Sequence, residues 1–364
     1  MKSTSPAVSV LVLFTVLAFS GAANAQVTQS APSNWALDRI DQRTGPWNNS
    51  YTYTTTGAGV HIYIIDSGIR LDHTEFAGRL TVNADYVAPG DNGADCYGHG
   101  TAVAGIAAGS TYGVAKGAQI HVLRVADCNP LDEPDKTPEI NRVIQALGWI
   151  RWNHVKPAVV NISSNYDVSL NPSCNLPCTP PNCPGCALES AITDVLNAGV
   201  SVVVSAGNFP GPVGEKWQLQ RCTGVPDCRC DWYYGCADPR MVTAGNLPPE
   251  IPGVITVGAA DRLGMSQGGF WDRRLVNTHW GVDVYAPGNY LQTASIQSST
   301  ATQLFSATSA AAPVVTGVVA RYLQSHPTAT PVQVRSWIKG NATTQTVSKC
   351  PAWEAGMVYI SPTD

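Results

Sequence analysis

The sequence predicts an α/β domain with a mostly parallel central sheet and helices on both faces. Short apolar runs closed by turn residues recur along the chain, as is typical of strands buried on both faces of a parallel sheet. Helical stretches long enough for crossovers separate several of these runs, and such alternation favours a parallel sheet. The chain has 364 residues with no internal repeat or dividing linker, so we expect one large domain.

The chain begins with the parts of a secretory signal peptide. Lys2 precedes an apolar run at 8–19 and an Ala-Asn-Ala sequence at 23–25. We therefore predict a signal peptide at 1–25 and a secreted, extracellular product. No later stretch approaches the roughly 18 uncharged apolar residues of a membrane span. The net charge of -4 excludes a nucleic-acid binder that depends on net positive charge.

Eleven cysteines in a chain with predicted secretion favour disulfides over reduced thiols. The odd number leaves at least one without a partner inside the chain. Eight of them fall in two clusters within Pro, Gly and Asn-rich sequence: Cys174, Cys178, Cys183, Cys186 and Cys222, Cys228, Cys230, Cys236. The clusters predict two disulfide-held loop insertions, at about 170–187 and 209–250. Zinc is the alternative, because one C-x2-C pair is present, and the pairing within the clusters stays open.

The first element is an extended entry segment, predicted over the polar residues 26–57. The first buried strand is predicted at 60–65 and ends at Asp66, at the edge where catalytic groups of parallel sheets gather. Asp is also a common turn residue, so this position alone assigns no function. Further strands are predicted at 120–125, 158–162, 200–204, 254–257 and 282–285, and helices at 138–152 and 187–197. Thr330 before Pro331 predicts the start of a last helix.

His99 lies between Gly98 and Gly100 at the start of a predicted helix rich in Ala and Gly. Glycines on both sides allow the backbone to approach a neighbouring element closely. A single histidine is usually structural or exposed. None of the six others among the seven is framed in this way, which favours a functional role for His99.

Ser309 stands at the head of a predicted helix that carries no charge before Arg321. Pro313 has no N–H, so the carbonyl group of Ser309 lacks a helical partner and the first turn opens around the serine. The free N–H groups and the helix dipole favour an anion there. The alternative is a capping serine followed by a tolerated proline.

Asp66, His99 and Ser309 are the residue types of nucleophilic acyl transfer. A neutral imidazole takes the proton of the serine hydroxyl, and a buried carboxylate orients the imidazole. Asn208 follows a predicted buried strand, and its amide can donate with the Ser309 N–H to an oxyanion. The order Asp, His, Ser along the chain is the known order of subtilisin.

Four segments make the chain resemble the subtilisin-like serine proteases, most of all the secreted proteinase K and aqualysin branch. They are IIDSGIRLDHTEF around Asp66, DCYGHGTAVAGIAAG around His99, SAGN at Asn208 and ATSAAAP around Ser309. The resemblance implies a subtilisin-like three-layer fold with a peptidase domain at 26–345 and a C-terminal tail at 346–364. It also implies a serine endopeptidase with these three residues as its triad and Asn208 as oxyanion donor, which needs no cofactor for its chemistry.

The resemblance implies further sites. Cys96 and Cys128 occupy places where relatives carry a disulfide. The carbonyl groups of Pro252 and Val254 and the carboxylate of Asp283 resemble a structural calcium site, since hard oxygen ligands suit calcium. A solvated surface charge is the alternative for this aspartate. The substrate-binding residues implied are Ser163, Ser164, Asn165, Ala206 and Gly207.

The chain departs from the family pattern in three places. Ala307 stands where the family has Gly, and its methyl group crowds the chain if φ is positive there. Residues 163–166 replace the usual Ser-Leu-Gly-Gly wall of the first specificity pocket, which predicts a narrower or more polar pocket. Pro130 lies in a segment that normally pairs with substrate, so we expect one donor fewer and weaker binding on that side.

Two other functions remain to be compared with an active protease. A weak or inactive scaffold that serves as a binding protein is favoured by the altered pocket wall and Ala307. An α/β-hydrolase esterase is favoured only by the short G-x-S-x-G pattern at 264–268, which no predicted strand precedes. For the protease we expect a monomer that takes protein or peptide substrates and contacts neither nucleic acid nor membrane.

Overall fold

The computed structural model describes residues 25–129, 137–164, 184–208, 251–262, 272–276, 282–344 and 356–364. The strands are β1 (Val27–Ser30), β2 (Ser50–Tyr53), β3 (His61–Asp66), β4 (Leu80–Asp85), β5 (Gln119–Arg124), β6 (Ala158–Ile162), β7 (Ser201–Ser205), β8 (Val254–Arg262), β9 (Asp272–Val276), β10 (Val284–Pro287), β11 (Leu291–Ala294) and β12 (Thr302–Phe305). The helices are α1 (Trp35–Ile40), α2 (His99–Ala108), α3 (Thr137–Asn153), α4 (Pro184–Asn197), α5 (Thr308–Ser325) and α6 (Pro331–Asn341).

The predicted parallel sheet is present, in the order β10-β8-β7-β6-β3-β5-β4, with β9 antiparallel to β8. Strands β6 and β7 are buried at every position, and β3 and β5 at all but the first, which explains their near-continuous apolar sequence. All six strands predicted from apolar runs are found, with both ends as predicted for β6 and ends that differ by up to five residues for the others.

The sheet reverses its direction of growth beside β3. After β3 the chain adds β4 and β5 on one side, and β6, β7, β8 and β10 then follow on the other. Parallel sheets open a crevice at such a switch point, outside the carboxyl ends of the strands. Asp66 ends β3 and Ser163 follows β6, so both lie at this crevice.

Helices cover both faces of the sheet, as predicted. Helices α2 and α5 pack with one face in a core that contains Val103, Ile106 and Val318. Helices α3 and α4 pack with the other face around Leu147 and Ile192. Full burial of such a side chain stabilises the fold by roughly 1.5–3 kcal/mol.

The entry segment 26–57 is more structured than predicted. Strands β1 and β2 pair antiparallel, and α1 lies between them along the chain. The side chain of Asn34 accepts a hydrogen bond from the Ala36 N–H and so caps α1, while Leu37 and Ile40 are fully buried. Six residues of helix carry too little periodicity to be recognised in the sequence.

The C-terminal residues 356–364 belong to the domain, although the sequence had set 346–364 apart as a tail. Met357, Val358 and Ile360 are buried, and the last two join the larger core. Met357 also forms bridges to Tyr285 and Thr343.

A buried arginine links the C-terminal segment to α5. Arg321 is fully buried, and its guanidinium donates to the Tyr51 hydroxyl at 2.8 Å and to Thr55 Oγ1 at 3.0 Å. It also donates to the main-chain oxygens of Ser361 and Asp364 at 3.4 and 3.3 Å. The far end of α5 is therefore held by both terminal segments of the described chain.

Several predictions lie outside the described residues: the signal peptide apart from its last residue, Asn165, Pro130, the G-x-S-x-G pattern and both Cys-rich insertions except 184–187. Residues 184–187 form the first turn of α4, which begins three residues before its predicted start. Among the described helices, none has the length and apolar character needed to cross a bilayer.

Candidate active site

Asp66 and His99 form a hydrogen-bonded pair at the carboxyl end of β3. The imidazole Nδ1 lies 2.8 Å from Asp66 Oδ1 and 3.0 Å from Oδ2. A carboxylate can only accept, so Nδ1 carries the hydrogen and Nε2 stays free to act as a base. The Asp66 side chain is 2% exposed and that of His99 is 20% exposed, so the pair is open to solvent only through the imidazole.

The glycines on both sides of His99 explain how α2 reaches β3. Gly98 has a φ of 97°, which favours glycine. A Cβ at Gly100 would lie 2.1 Å from the main-chain oxygen of Gly68 and 3.1 Å from Asp66 Cβ. No side chain fits there, so the close approach predicted from this sequence depends on glycine.

The surroundings of His99 favour its protonated form. Burial by itself lowers the pKa of His99, but the nearby Asp66 carboxylate and its hydrogen bond outweigh that effect, with further contributions from Asp95 and Glu139. The net result is a pKa raised above its ordinary 6.5. The Phe305 ring meets the imidazole edge-on at 5.2 Å between centroids.

Ser309 lies in the first turn of α5 and is 6% exposed. Its hydroxyl donates to the main-chain oxygen of Ser163 at 2.9 Å. Within the described part of the chain, His99 hydrogen-bonds through its ring only to Asp66, so the serine hydroxyl is bonded to the Ser163 oxygen and not to the imidazole. Catalytic hydrogen bonds are often long or misaligned without substrate and tighten when it binds.

Ala307, just before this helix turn, has φ 92° and ψ -176°. Because this φ is positive, the methyl group of Ala307 is in the conformation in which it was expected to crowd the chain. Its N–H donates to the Gly288 main-chain oxygen at 2.7 Å, and its own carbonyl accepts from Ala310 and Ala311. These bonds hold Ala307 in a conformation that L-residues rarely adopt.

Asn208 is fixed beside the serine by Thr308. Its Oδ1 accepts from the Thr308 N–H at 3.1 Å and from the Thr308 hydroxyl at 2.7 Å. Because a main-chain N–H can only donate, the contacting atom of Asn208 is its oxygen, and the amide nitrogen remains available as a donor. This is the arrangement that an oxyanion site needs next to a nucleophile.

A buried polar chain supports the main-chain oxygen that holds Ser309. Thr316 of α5 donates to Asn161 Oδ1 at 2.8 Å, and Asn161 Nδ2 donates to Ser163 Oγ at 2.9 Å. Thr316 and Asn161 are fully buried, and Ser163 is 1% exposed. The nucleophile helix and the end of β6 are thus fixed to each other by satisfied hydrogen bonds.

The described members of the implied substrate pocket gather at the same sheet edge. Ser163 and Ser164 follow β6, and Ala206 and Gly207 follow the neighbouring β7. The Ala206 N–H donates to the Val257 main-chain oxygen at 2.9 Å, which fixes that side of the wall.

The groups implied for calcium do not fit that ion. Asp283 is 3% exposed, and its Oδ1 accepts from Arg335 Nη2 at 2.8 Å and from Lys339 Nζ at 3.0 Å. Two cationic side chains neutralise the carboxylate that calcium would need and repel a third positive charge. We therefore correct the assignment of Pro252, Val254 and Asp283 to a metal. Among the described residues, no cluster of three or more side chains of His, Cys, Asp or Glu is suited to a metal ion.

The implied disulfide is present between Cys96 and Cys128, 32 positions apart. It joins the segment before His99 to the loop after β5. Arg124 Nη2 lies 3.3 Å from Cys96 Sγ and places its guanidinium beside the bridge.

Sequence reasoning missed the residues that support the catalytic candidates. Thr308, Asn161 and Thr316 hold Asn208 and Ser163, and Asp95 binds the segment before His99. The only sequence signal for the supporting role of Thr308 was its position next to Ser309. Asn161 sits in an apolar strand run, where a buried amide requires a partner.

Comparison with known proteins gives the family. The model of the subtilase family matches residues 57–354. An extracellular serine proteinase of Thermus sp. (strain Rt41A) is 39% identical over 334 residues, 91% of this chain and 67% of that protein. Alkaline serine exoprotease A of Vibrio alginolyticus is 32% identical over 316 residues, 86% of this chain and 48% of that protein.

A solved structure agrees with this match. The crystal structure of a cold-adapted subtilisin-like serine proteinase superposes with a TM-score of 0.67 at 30% identity and covers 89% of this chain and 97% of that chain. The chain therefore spans about two thirds of the length of the Thermus relative and about half of that of the Vibrio relative. It covers nearly all of the solved structure. On these matches, the chain belongs to the subtilase family of serine proteases.

Proposed function

We propose that this subtilase is a secreted serine endopeptidase with Ser309 as nucleophile, His99 as general base and acid, and Asp66 as the group that orients the imidazole. The hydrogen-bonded pair of Asp66 and His99 carries this proposal, since it holds the hydrogen of the neutral imidazole on Nδ1 and leaves Nε2 as the basic atom. The relative from Thermus, which is named extracellular, supports secretion. The chemistry needs no cofactor.

The mechanism follows from the free atoms of the site. On substrate binding, the Ser309 hydroxyl turns from the Ser163 oxygen to His99 Nε2, gives up its proton and attacks the carbonyl carbon. Asn208 Nδ2 and the Ser309 N–H donate to the oxyanion. His99 then protonates the leaving amine, and water hydrolyses the acyl-enzyme with His99 again as base.

The substrate pocket is proposed at the ends of β6 and β7, with Ser163, Ser164, Ala206 and Gly207 on its walls. A serine at position 164 of the wall favours small or polar side chains over large apolar ones. Equal cleavage after large apolar and small polar residues in a peptide library would contradict this specificity.

The test is covalent labelling by a fluorophosphonate, together with cleavage of the peptide library. Wild type is expected to be labelled at Ser309 and to cleave peptides, whereas Ser309→Ala does neither. A calcium chelator is expected not to change the stability that the ion pairs of Asp283 contribute, because Arg335 and Lys339 neutralise this carboxylate. Wild-type protein that folds but takes up no label would instead favour the inactive scaffold, which the strained Ala307 and the turned serine hydroxyl make the second candidate.

A further inference from the structure

The carboxylate of Asp95, four residues before His99, is the most heavily hydrogen-bonded group beside the proposed triad. Its Oδ1 accepts from the N–H groups of Tyr97 and Gly98 at 3.0 and 2.8 Å. Its Oδ2 accepts from the Thr101 N–H at 2.9 Å and from the Thr101 hydroxyl at 2.6 Å. The carboxylate therefore hydrogen-bonds to backbone N–H groups on both sides of His99.

A second set of hydrogen bonds connects Asp95 to Asp66 through Ser67. The Ser67 hydroxyl donates to Asp95 Oδ1 at 2.9 Å and accepts from the Gly100 N–H at 3.0 Å. The Ser67 N–H in turn donates to Asp66 Oδ1 at 2.7 Å. The end of β3 and the start of α2 are thus joined by a closed set of hydrogen bonds that passes through Asp95.

Only a carboxylate satisfies these five donors. Both oxygens accept from main-chain N–H groups, which cannot reverse their direction. An asparagine at this position would turn its NH₂ group either toward the Thr101 N–H or toward the N–H groups of Tyr97 and Gly98, so at least one main-chain donor would lose its acceptor and face another donor. Glutamate keeps the charge, but its extra methylene moves both oxygens away from the donors.

We propose that Asp95 is a positioning residue of this protease, which fixes the distance and orientation between Asp66 and the imidazole of His99. This role depends on the proposed function. Asp95 is also a fixed anion near His99. The charged groups that act on the imidazole are Asp66, Asp95 and Glu139, and all three favour its protonated form.

The test compares Asp95→Asn with wild type by steady-state peptide cleavage across pH. The loosened pair lowers kcat by about 10- to 100-fold, as expected for a small displacement of a catalytic group, with little change in KM. Loss of the negative charge moves the acid limb of the kcat/KM profile to lower pH. A purely structural role would lower the yield of folded protein but would not move that limb.

Ser67→Ala separates geometry from charge. It breaks the link to β3 without removing a charge, so kcat falls while the acid limb moves less than in Asp95→Asn. Asp91→Asn is the matched control, because Asp91 lies in the same loop, is 58% exposed and pairs with Arg124 instead. Its kcat and acid limb are expected to equal those of wild type.

The role of Asp95 is overturned if Asp95→Asn keeps the kcat and acid limb of wild type, or if Asp91→Asn loses as much activity. Should Asp95→Asn fail to fold, Ser67→Ala decides, and an unchanged kcat in that variant overturns the role. Active-site titration with fluorophosphonate separates this from a failure of the proposed function. Unlabelled wild type contradicts the triad itself, whereas labelled wild type with unaffected variants contradicts only Asp95.

Discussion

The backbone at Ala307 takes a conformation that a β-carbon disfavours by about 1–3 kcal/mol. Ala307→Gly should therefore raise the free energy of unfolding by about 1 kcal/mol, because the relief of strain exceeds the extra entropy that glycine adds to the unfolded chain. Urea unfolding of the two proteins, both carrying Ser309→Ala to prevent self-digestion, measures the difference.

Ala310→Gly is the control for this comparison. Ala310 lies three residues further on, inside α5, with ordinary helical conformation. The same substitution there should lower the free energy of unfolding by about 0.5–1 kcal/mol. Opposite signs at the two positions are expected, and a loss of stability at both would show that Ala307 is not strained.

Asn208→Ala should lower kcat by about 10²–10³-fold with little effect on KM, because it removes one donor to the oxyanion. Thr308→Val keeps the shape of the side chain but removes the hydroxyl that holds Asn208 Oδ1. Its loss in kcat should be smaller than that of Asn208→Ala. Steady-state kinetics on one peptide rank the variants, and a larger effect on KM than on kcat would argue against an oxyanion role.

The raised pKa of His99 predicts the direction of the pH dependence. The base must be neutral, so kcat/KM should rise with pH through a midpoint above 6.5, the ordinary value. Stability runs the other way. The contribution of the imidazolium is complete below pH 6.5 and is lost as the pH rises through the folded-state pKa. A rate profile with a midpoint below 6.5 would contradict the pairing with Asp66.

At the level of single residues, the sequence predicted which residues form the candidate site, but not how each side chain is oriented. Asp66, His99 and Asn208 were recognised from local motifs and the family resemblance, and they occupy the edge that a parallel sheet predicts. The direction of the Ser309 hydroxyl was not predictable, because it depends on the Ser163 oxygen, 146 positions away along the chain.

Among the elements, the loop closed by Cys96 and Cys128 offers a direct test. The chain-entropy model assigns a loop of this length about 3–4 kcal/mol, as an upper figure. The double variant Cys96→Ser with Cys128→Ser should lose up to that amount of unfolding free energy. Measurement in urea under non-reducing conditions checks it, and an unchanged midpoint would show that the bridge adds no stability.

Strands that are buried along most of their length were predictable, including β10 at one end of the sheet order, whereas the more exposed strands were not. The run at 158–162 is apolar apart from Asn161 and matches β6 in both its ends. By contrast, β4 lies at the other edge of the sheet with no buried residue, and its sequence LTVNAD is mixed. The hairpin β11-β12 was missed for the same reason, since β12 alternates between exposed and half-buried positions.

For the whole molecule, the buried Asp283 joins the start of β10 to α6. Arg335→Met should lower the free energy of unfolding by about 1–3 kcal/mol, because a buried carboxylate loses its bidentate partner while Lys339 remains. Arg151→Met is the control. Its partner Asp194 is 37% exposed, and such surface pairs contribute less than about 1 kcal/mol. Stability of Arg335→Met that returns only when calcium is added would instead indicate a metal at Asp283.

The domain boundary shows what the sequence could not reveal about the whole. Residues 356–364 have no regular periodicity, and their burial depends on contacts with β2, α1 and the end of α6, which are distant in sequence. The N–H of Ile360 bonds to the Ile40 oxygen, and that of Thr54 bonds to the Pro362 oxygen. Only the folded chain brings these segments together.

The hydrogen bonds of Arg321 make the helix that carries Ser309 dependent on residues far from the candidate site. The main-chain oxygens of Ser361 and Asp364 accept from the guanidinium at the opposite end of α5 from Ser309. Removal of these two acceptors would leave donors of a fully buried guanidinium unpaired, which destabilises the folded state. Truncation before residue 361 is therefore expected to weaken the packing of α5, although it removes no residue of the candidate site.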